Sequence, residues 1–534
     1  MKNIAVSLAS FESIIDSGFI YIDKTSFIHK IVSSPEKYFF LSRPRRFGKS
    51  LSINTLREVF LGNKELFKGL YIYDTDWKWG KYPIIQLDFN KIDNSTPEKL
   101  EENIIHFLSK IYTEHYIKVD RKSAGNIFED LVIKLHDKYN KGVVFLVDEY
   151  DKPIISHLGE GDDALKIAKE NQKFMKIFYD NLKALEPYLK TVYITGVSKF
   201  SRVSIFSTLN NLIELDYHPE FADFLGYRED ELHTYFDEHF AVMADEMKVS
   251  KDELYELFRR YYNGFRFTDK DVRVYNPFSV GRALSFKQLR NFWFESGTPT
   301  FLVNLIKEKQ YNLTNFQNLE ISTIEVKAYD IENLQIEALL FQTGYLTIKD
   351  TFNLGRKLLL SFPNSEVSEG FNKQLLSSIS EDKVKSVLIF SLQDQLFNLD
   401  FDNFFKTIKT LFASVAYNII PRKDDIIDPY NELTKFELYY HSLFYLIISL
   451  MSDIYTKVDV EVLTNIGRLD MVVKTPDRVF IFEFKVDQSA DIAIKQIKNR
   501  KYADKFIGKK ITMIGIDFGS EEKNIKDWIV EEME

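Results

Sequence analysis

The chain contains no cysteine. That absence excludes disulfides, thiolate nucleophiles and cysteine-based zinc sites. Histidine is scarce as well, with nine scattered through 534 residues. A metal would therefore sit on oxygen ligands, which favours magnesium, with manganese as the alternative. No stretch of about 18 uncharged apolar residues occurs, so a membrane-spanning helix is not expected. The opening MKNIAVSLASFESII lacks the charged, apolar and small-residue succession of a signal peptide, which predicts a cytoplasmic protein with no membrane partner. Positive charge is not in excess either. A formal charge of -9 argues against a protein that coats nucleic acid nonspecifically, because such binding neutralises phosphates with Lys and Arg. The basic stretch IKQIKNRKYADKFIGKK (Ile494 to Lys510) is a local exception, and its plain reading is a solvated helix face.

What the chain has in quantity is aromatic residues. Its 46 Phe and 29 Tyr supply packed cores throughout and argue against long disordered regions. A length of 534 residues exceeds what one hydrophobic core holds. From Tyr38 to Val197 apolar strands (YFFLS, YPIIQLDF, GVVFLVDE, TVYITGVS) alternate with amphipathic helical stretches at Thr96 to Tyr116 and Ala124 to Tyr139. This alternation predicts a parallel sheet covered on both faces. A helical stretch follows from Leu225 to Ile306, and then IEALLFQ, a Gly344 turn, YLTIKD and RKLLLSF read as a helix followed by a hairpin, similar to a winged helix. Such a module binds DNA in some proteins and is a rigid packing element in others. PRKDDIIDP is the most linker-like segment. The expected division is 1–225, 226–330, 331–420 and 421–534.

SRPRRFGKS follows YFFL and precedes LSINTLREVF, the strand, loop and helix order that a phosphate-binding loop requires. Backbone amides and a helix N-terminus surround the phosphates in such a loop, the Lys reaches the outer ones, and the hydroxyl helps to hold magnesium. Arg46, Phe47, Gly48, Lys49, Ser50 and Leu51 are the candidate ATP-binding residues. Arg43 departs from the pattern, since it stands where G-x-x-x-x-G-K-[ST] has its first Gly. VVFLV then leads into Asp148 and Glu149. A carboxylate pair at the end of a buried strand is costly unless it meets a cation or donors. Asp148 is expected to hold magnesium with Ser50, and Glu149 to orient or deprotonate the attacking water. Thr195 and Ser198 are both candidate sensors of the terminal phosphate.

A second acidic set lies near the C-terminus. Asp470 in GRLD and Glu483 in IFEFK sit on strands that TPDR could join as a hairpin. Glu483 and Lys485 would share one face of their strand. Clustered carboxylates with a cation are what metal-dependent phosphodiester cleavage needs. Glu437 on a neighbouring helix is a candidate third carboxylate, and Gln496 a group that orders the centre. A cross-strand salt bridge on a solvated sheet is the plain alternative. The GRLD context, the buried character of VFIF and the Q-I-K-N-R-K-Y helix weigh against it.

With those residues in place, the chain resembles the bacterial AAA-ATPase-like proteins of unknown function that carry a C-terminal PD-(D/E)xK nuclease domain. The resemblance runs nearly end to end, through FIYIDKTSFI, RPRRFGKSL, PIIQLDFN, LVDEYDKPI, ITGVSKFS, YNGFRF, YNPFSV, ALLFQTGYLTI, YYHSLFYLI, GRLD and FEFK. It implies an α/β fold: a P-loop NTPase parallel sheet, a helical and winged-helix middle region, and a C-terminal restriction-endonuclease-like α/β domain. It implies nucleotide binding by Lys49 and Ser50 with Asp148 and Glu149, and a nuclease core of Asp470, Glu483 and Lys485 supported by Glu437 and Gln496. In that family the missing first glycine of the loop is usual. Asp23 and Lys24 of YIDKT also match, and a place beside the base and a capping role both stand open. The expected function is an ATP-controlled, metal-dependent nuclease acting on DNA, such as foreign or mobile DNA. The alternative is a nucleotide-dependent signalling or scaffold protein whose nuclease-like domain binds without cutting. Assembly into a homo-oligomer is compatible with either, with Arg202, Arg266 and Arg282 as arginines that a neighbouring subunit could supply.

Overall fold

The computed structural model describes all residues except 7, 118–122, 200–205, 207–208, 210, 297–299, 309–315, 317, 328–334, 380–385, 415–434, 452–455, 464–467, 507 and 534. Two compact units emerge, Met1–Glu295 with Glu320–Asn364, and Ser296–Leu319 with Ser365–Glu534.

The first unit is built on five parallel strands, β1 (Tyr38–Ser42), β2 (Ile84–Asp88), β3 (Val143–Asp148), β4 (Leu189–Gly196) and β5 (Ile213–Glu214). Their order across the sheet is β2-β3-β4-β1-β5. Every residue of β1 and β3 is buried, as expected of strands covered on both faces. The helices Pro97–Glu114 and Ala124–Tyr139 form where the apolar periodicity places them, each started by a Ser or Thr side chain that accepts from the backbone three residues on. Because β4 lies between β1 and β3, the ends of these three strands come together at one edge. That edge carries the first site.

Further helices, among them Asp237–Met247, Lys251–Tyr262 and Pro277–Phe286, pack around Phe240, Phe258 and Tyr262. A three-stranded sheet of β6 (Leu319–Ser322), β7 (Thr347–Phe352) and β8 (Lys357–Ser361) follows, with the helix Ile336–Thr343 ahead of its hairpin. The described residues of that helix are buried around nearly its whole girth, from Ile336 to Thr343. It is therefore packed within its own unit on nearly every side.

The second unit holds a mixed sheet ordered β13-β12-β11-β10-β9, comprising β9 (Lys457–Leu463), β10 (Arg468–Lys474), β11 (Arg478–Val486), β12 (Lys510–Gly519) and β13 (Asn524–Met533). Only β11 and β12 run parallel, with the helix Ala490–Asn499 crossing between them. The opposite face packs on the helices Ser386–Phe397, Phe401–Ala413 and Lys435–Ser449 through Phe405, Phe444, Phe482 and Phe518. The linker-like segment 421–429 lies outside the described residues. Among the described residues no helix is long and apolar enough to cross a membrane.

Candidate active sites

β1 delivers the chain to the sheet edge at Ser42, and the loop 43–48 turns it into the helix Lys49–Phe60. Gly48 caps that helix in the left-handed region (φ 95°), a conformation that glycine adopts without steric cost. Arg46 is also left-handed, at φ 67°. Free N–H groups at such a helix start favour an anion. The Lys49 ammonium donates to the carbonyls of Arg43 (3.0 Å) and Pro44 (3.3 Å) and lies 3.3 Å from Glu149 Oε1.

Asp148 is clasped from both sides. Ser50 Oγ donates to its Oδ2 at 2.5 Å, and Thr195 Oγ1 to its Oδ1 at 2.7 Å. Burial raises the Asp148 pKa, and these donors oppose the shift. The hydroxyl and carboxylate that would share a magnesium ion are thus already in contact, so the donor set fits that ion. Of the two candidate sensors, Thr195 touches Asp148, whereas Ser198 Oγ donates to Asp151 at 2.8 Å. Asp151 is fully buried, and burial followed by the Glu149 charge pushes its pKa up to about 6.

The arginine in the place of the first loop glycine does not point toward the phosphate seat. Arg43 is 2% exposed, and its guanidinium donates to the carbonyls of Ser42 (3.0 Å), Asp216 (3.1 Å) and Phe221 (3.3 Å) over the face of Phe267. The side chain serves as an internal strut. Arg46 similarly donates to Phe292 O and stacks on Phe278, while Phe47 is buried edge-on against Phe265 and Phe267.

A cavity of about 90 Å3 opens beside Gly48 and Leu51, bordered by Tyr21, Lys24, Gly226 and Tyr227. Asp23 ties down the turn before the helix Thr25–Val32: Oδ1 accepts from Thr25 N and Oγ1, and Oδ2 from Tyr71 N. Lys24 borders the cavity, with its ammonium held by Glu231 (2.6 Å) and Asp223 O (2.9 Å). Of the candidate partner arginines, Arg266 is 4% exposed and bonds to Thr268 O and Asp269 O of its own loop, so it cannot reach a neighbouring subunit. Arg282 lies over Phe278 and Phe286, and Arg202 is outside the described residues.

In the second unit, β10 and β11 pair with Met471 opposite Phe482, and one further step of that register sets Asp470 opposite Glu483. Asp470 Oδ2 accepts from Phe484 N at 2.8 Å. Gln496, on the helix crossing the sheet, donates its amide to Glu483 Oε1, and Lys485 Nζ lies 3.7 Å from the same oxygen. The other oxygen, Oε2, is buried with no partner. Burial, reinforced by the Asp470 charge, pushes the Glu483 pKa up to about 9. An orphaned carboxylate oxygen beside a second acid fits a divalent cation on oxygen ligands. Glu437 lies on the helix Lys435–Ser449, with its side chain outside the described part of the structure. Among the described residues no group of three or more His, Cys, Asp or Glu is arranged for a metal.

Two family models match the chain: Predicted AAA-ATPase over residues 5–206, and PD-(D/E)XK nuclease superfamily over residues 435–528. The "Uncharacterized protein in vnfD 5'region" of Azotobacter chroococcum mcd 1 is 32% identical over 543 residues, spanning 100% of this chain and 99% of that protein. The chain belongs to this family of predicted AAA-ATPases with a C-terminal PD-(D/E)XK nuclease-superfamily domain. No solved structure matches it.

Several residues around the family's nucleotide site escaped the sequence reading. Lys199 is 1% exposed, and its ammonium is 2.6 Å from Glu214 and 2.5 Å from Asp216, while its backbone N–H donates to Gln342 Oε1 at 2.6 Å. Nothing in SKF or FQTG announces a bond across more than a hundred residues. The signal available was weaker: a lysine at the end of a buried strand has to find anions.

Proposed function

We propose that this family member is a nucleotide-regulated, metal-dependent nuclease acting on DNA. The observation that carries the reading is that each unit brings a buried carboxylate to a lysine and a polar clasp: Asp148 with Ser50, Thr195 and nearby Lys49, and Glu483 with Gln496 and Lys485. In the first unit, Lys49 and the amides of 46–51 bind the phosphates of ATP, and the cavity beside Gly48 and Leu51 receives the base. Ser50 and Asp148 are the residues that would hold magnesium, which would supply positive charge to the phosphates. Glu149 takes the proton of the attacking water, and Thr195 senses the terminal phosphate. In the second unit, Asp470 and Glu483 hold magnesium or manganese, with Glu437 as a third ligand. Such an ion would supply activation of the attacking water and charge stabilisation at the leaving oxygen. Lys485 positions the nucleophile, and Gln496 fixes the rotamer of Glu483.

Cytoplasmic DNA of foreign or mobile origin is the proposed substrate, because nucleotide control would restrain a nuclease from the host's own DNA. Circular and linear DNA and RNA, incubated with magnesium or manganese and with or without ATP, test this. Cleavage that vanishes in Asp470→Ala and changes in Lys49→Ala supports it, whereas intact substrates throughout overturn it. The second reading, a nucleotide-dependent scaffold that binds without cutting, is favoured by one observation: the chain carries a formal charge of -9 with only local basic patches, which suits a protein that does not coat nucleic acid. A divalent ion bound at Asp470 and Glu483 counts against it.

A further inference from the structure

The fourth residue of DEYD has no part in the scheme above, yet it occupies an expensive position. Asp151 is 0% exposed. A buried carboxylate is retained only where donors or cations compensate its desolvation. All three donors here come from two adjacent residues just past the end of β4: Asp151 Oδ2 accepts from Val197 N (3.0 Å), Ser198 N (2.7 Å) and Ser198 Oγ (2.8 Å). Oδ1 is buried without a partner, and so is the hydroxyl of Tyr179, whose ionisation the Asp151 charge opposes after burial itself.

The neighbouring residue reinforces the tie. Tyr150 N donates to Thr195 O at 2.9 Å and Tyr150 Oη to Ser198 O at 2.8 Å. Gly196 is shaped to this arrangement, since a Cβ there would fall 2.5 Å from the Tyr150 ring and 2.8 Å from Asp151 Oδ1. The turn that these bonds stitch to β4 begins at Glu149, which is left-handed at φ 53°. A non-glycine residue in that region is strained and persists where its surroundings over-determine it. The stitched strand end also carries Thr195, which clasps Asp148.

We infer that Asp151 is a positioning residue for nucleotide hydrolysis: it locks the turn carrying Glu149 to the strand end carrying Thr195, so that the acid meeting the water and the hydroxyl sensing the phosphate keep one geometry. This rests on the ATPase reading given above. A charged acceptor suits the task, because three N–H and O–H donors converging on one oxygen hold a carboxylate more firmly than an amide.

The test uses full-length protein, with magnesium-dependent ATP hydrolysis, affinity for a fluorescent ATP analogue and thermal melting measured on Asp151→Asn, Tyr150→Phe, Glu149→Gln and the Asp151→Asn/Glu149→Gln pair. Asp151→Asn should lower kcat by about 10- to 100-fold, the scale of a misplaced catalytic group, while nucleotide affinity and melting stay near wild type. The double variant should be no slower than Glu149→Gln alone, as residues acting as a unit are not additive. Tyr150→Phe, which removes one stitch and no charge, should lower kcat by a few-fold at unchanged affinity. Unchanged kcat in Asp151→Asn overturns the inference, as does a joint fall of kcat, affinity and melting, or multiplicative losses in the double variant. If Asp151→Asn does not fold, unchanged kcat in Tyr150→Phe overturns it. No hydrolysis by the wild type removes the ATPase reading, and the inference with it.

Discussion

Gly344 lies directly against Pro44 of the phosphate loop, so closely that a Cβ on the glycine would fall 2.5 Å from the proline Cγ. The same glycine is left-handed at φ 88° and ends the buried helix Ile336–Thr343, whose Gln342 accepts from Lys199 N. The nucleotide loop is therefore buttressed from outside the sheet. Trp293 adds to this buttress by donating from Nε1 to Arg45 O.

Gly344→Ala tests that buttress. The substitution combines left-handed strain with overpacking of a rigid ring, for a combined cost of about 2–4 kcal/mol. It should lower the melting temperature and weaken ATP affinity by more than about 10-fold through displacement of the loop, equivalent to about 1.4 kcal/mol. Gly355→Ala is the control. That glycine is also left-handed, at φ 78°, but nothing lies within 4 Å of its added Cβ. It should cost about 1–2 kcal/mol through left-handed strain alone and leave ATP affinity unchanged. Equal nucleotide affinities in the two variants would sink the buttress.

Arg43→Gly restores the first glycine of the common loop pattern, and a sequence-pattern argument predicts tighter ATP binding. The structure predicts the reverse outcome. Removing the guanidinium strips the carbonyls of Ser42, Asp216 and Phe221 of a donor and empties a packed site over Phe267. The expected loss is about 1–3 kcal/mol for each buried carbonyl left without a donor. Denaturant unfolding and ATP titration check it, with improved affinity at undiminished stability as the contrary result.

How much of this was legible beforehand can be traced residue by residue. The strands ending in Ser42, Asp148 and Gly196 were readable because runs such as VVFLV are too apolar to be anything but buried, and their ends carry polar residues. Asp470 and Glu483 were readable as partners because TPDR fixes a hairpin and two-residue periodicity fixes the face. Short or less continuous strands such as β5 and β9 were missed, since their character depends on neighbours distant in sequence. The direction of the Arg43 side chain was hidden for a similar reason: Asp216 and Phe221, which receive it, lie more than 170 residues away. Which of Thr195 and Ser198 touches Asp148 depends on the register of β3 against β4, which no local pattern supplies.

Glu483 predicts an exchange of stability against function. Its folded pKa is raised toward 9 by burial and by Asp470, above the ordinary carboxylate value. Below the unfolded pKa, near 4.3, both states are protonated and the group costs nothing. As pH rises toward 9 the unfolded chain releases its proton while the folded one retains it, so this unit loses stability across that window. Glu483→Gln keeps the shape and removes the titration. It should raise the melting temperature at pH 8, flatten the decline of stability between about pH 5 and 9, and abolish divalent-metal binding measured by calorimetry. In the wild type, metal binding should strengthen with pH and release a proton. A Gln variant that melts earlier at pH 8 would refute this account.

The two sites can be separated by loss of one at a time. Lys49→Ala removes a buried ammonium that bridges loop carbonyls and Glu149, and should weaken ATP binding by about 100-fold, the equivalent of roughly 2.7 kcal/mol. Asp470→Ala removes the acid that Phe484 N holds opposite Glu483 and should abolish cleavage while ATP affinity stays intact. If nucleotide governs the nuclease, ATP changes the wild-type cleavage rate, and Lys49→Ala cleaves at a rate that ATP no longer alters. Cleavage indifferent to ATP in the wild type would leave two independent activities on one chain. Since the two acid centres lie in separate compact units, this cross of variants against ATP and metal decides whether they operate as one machine.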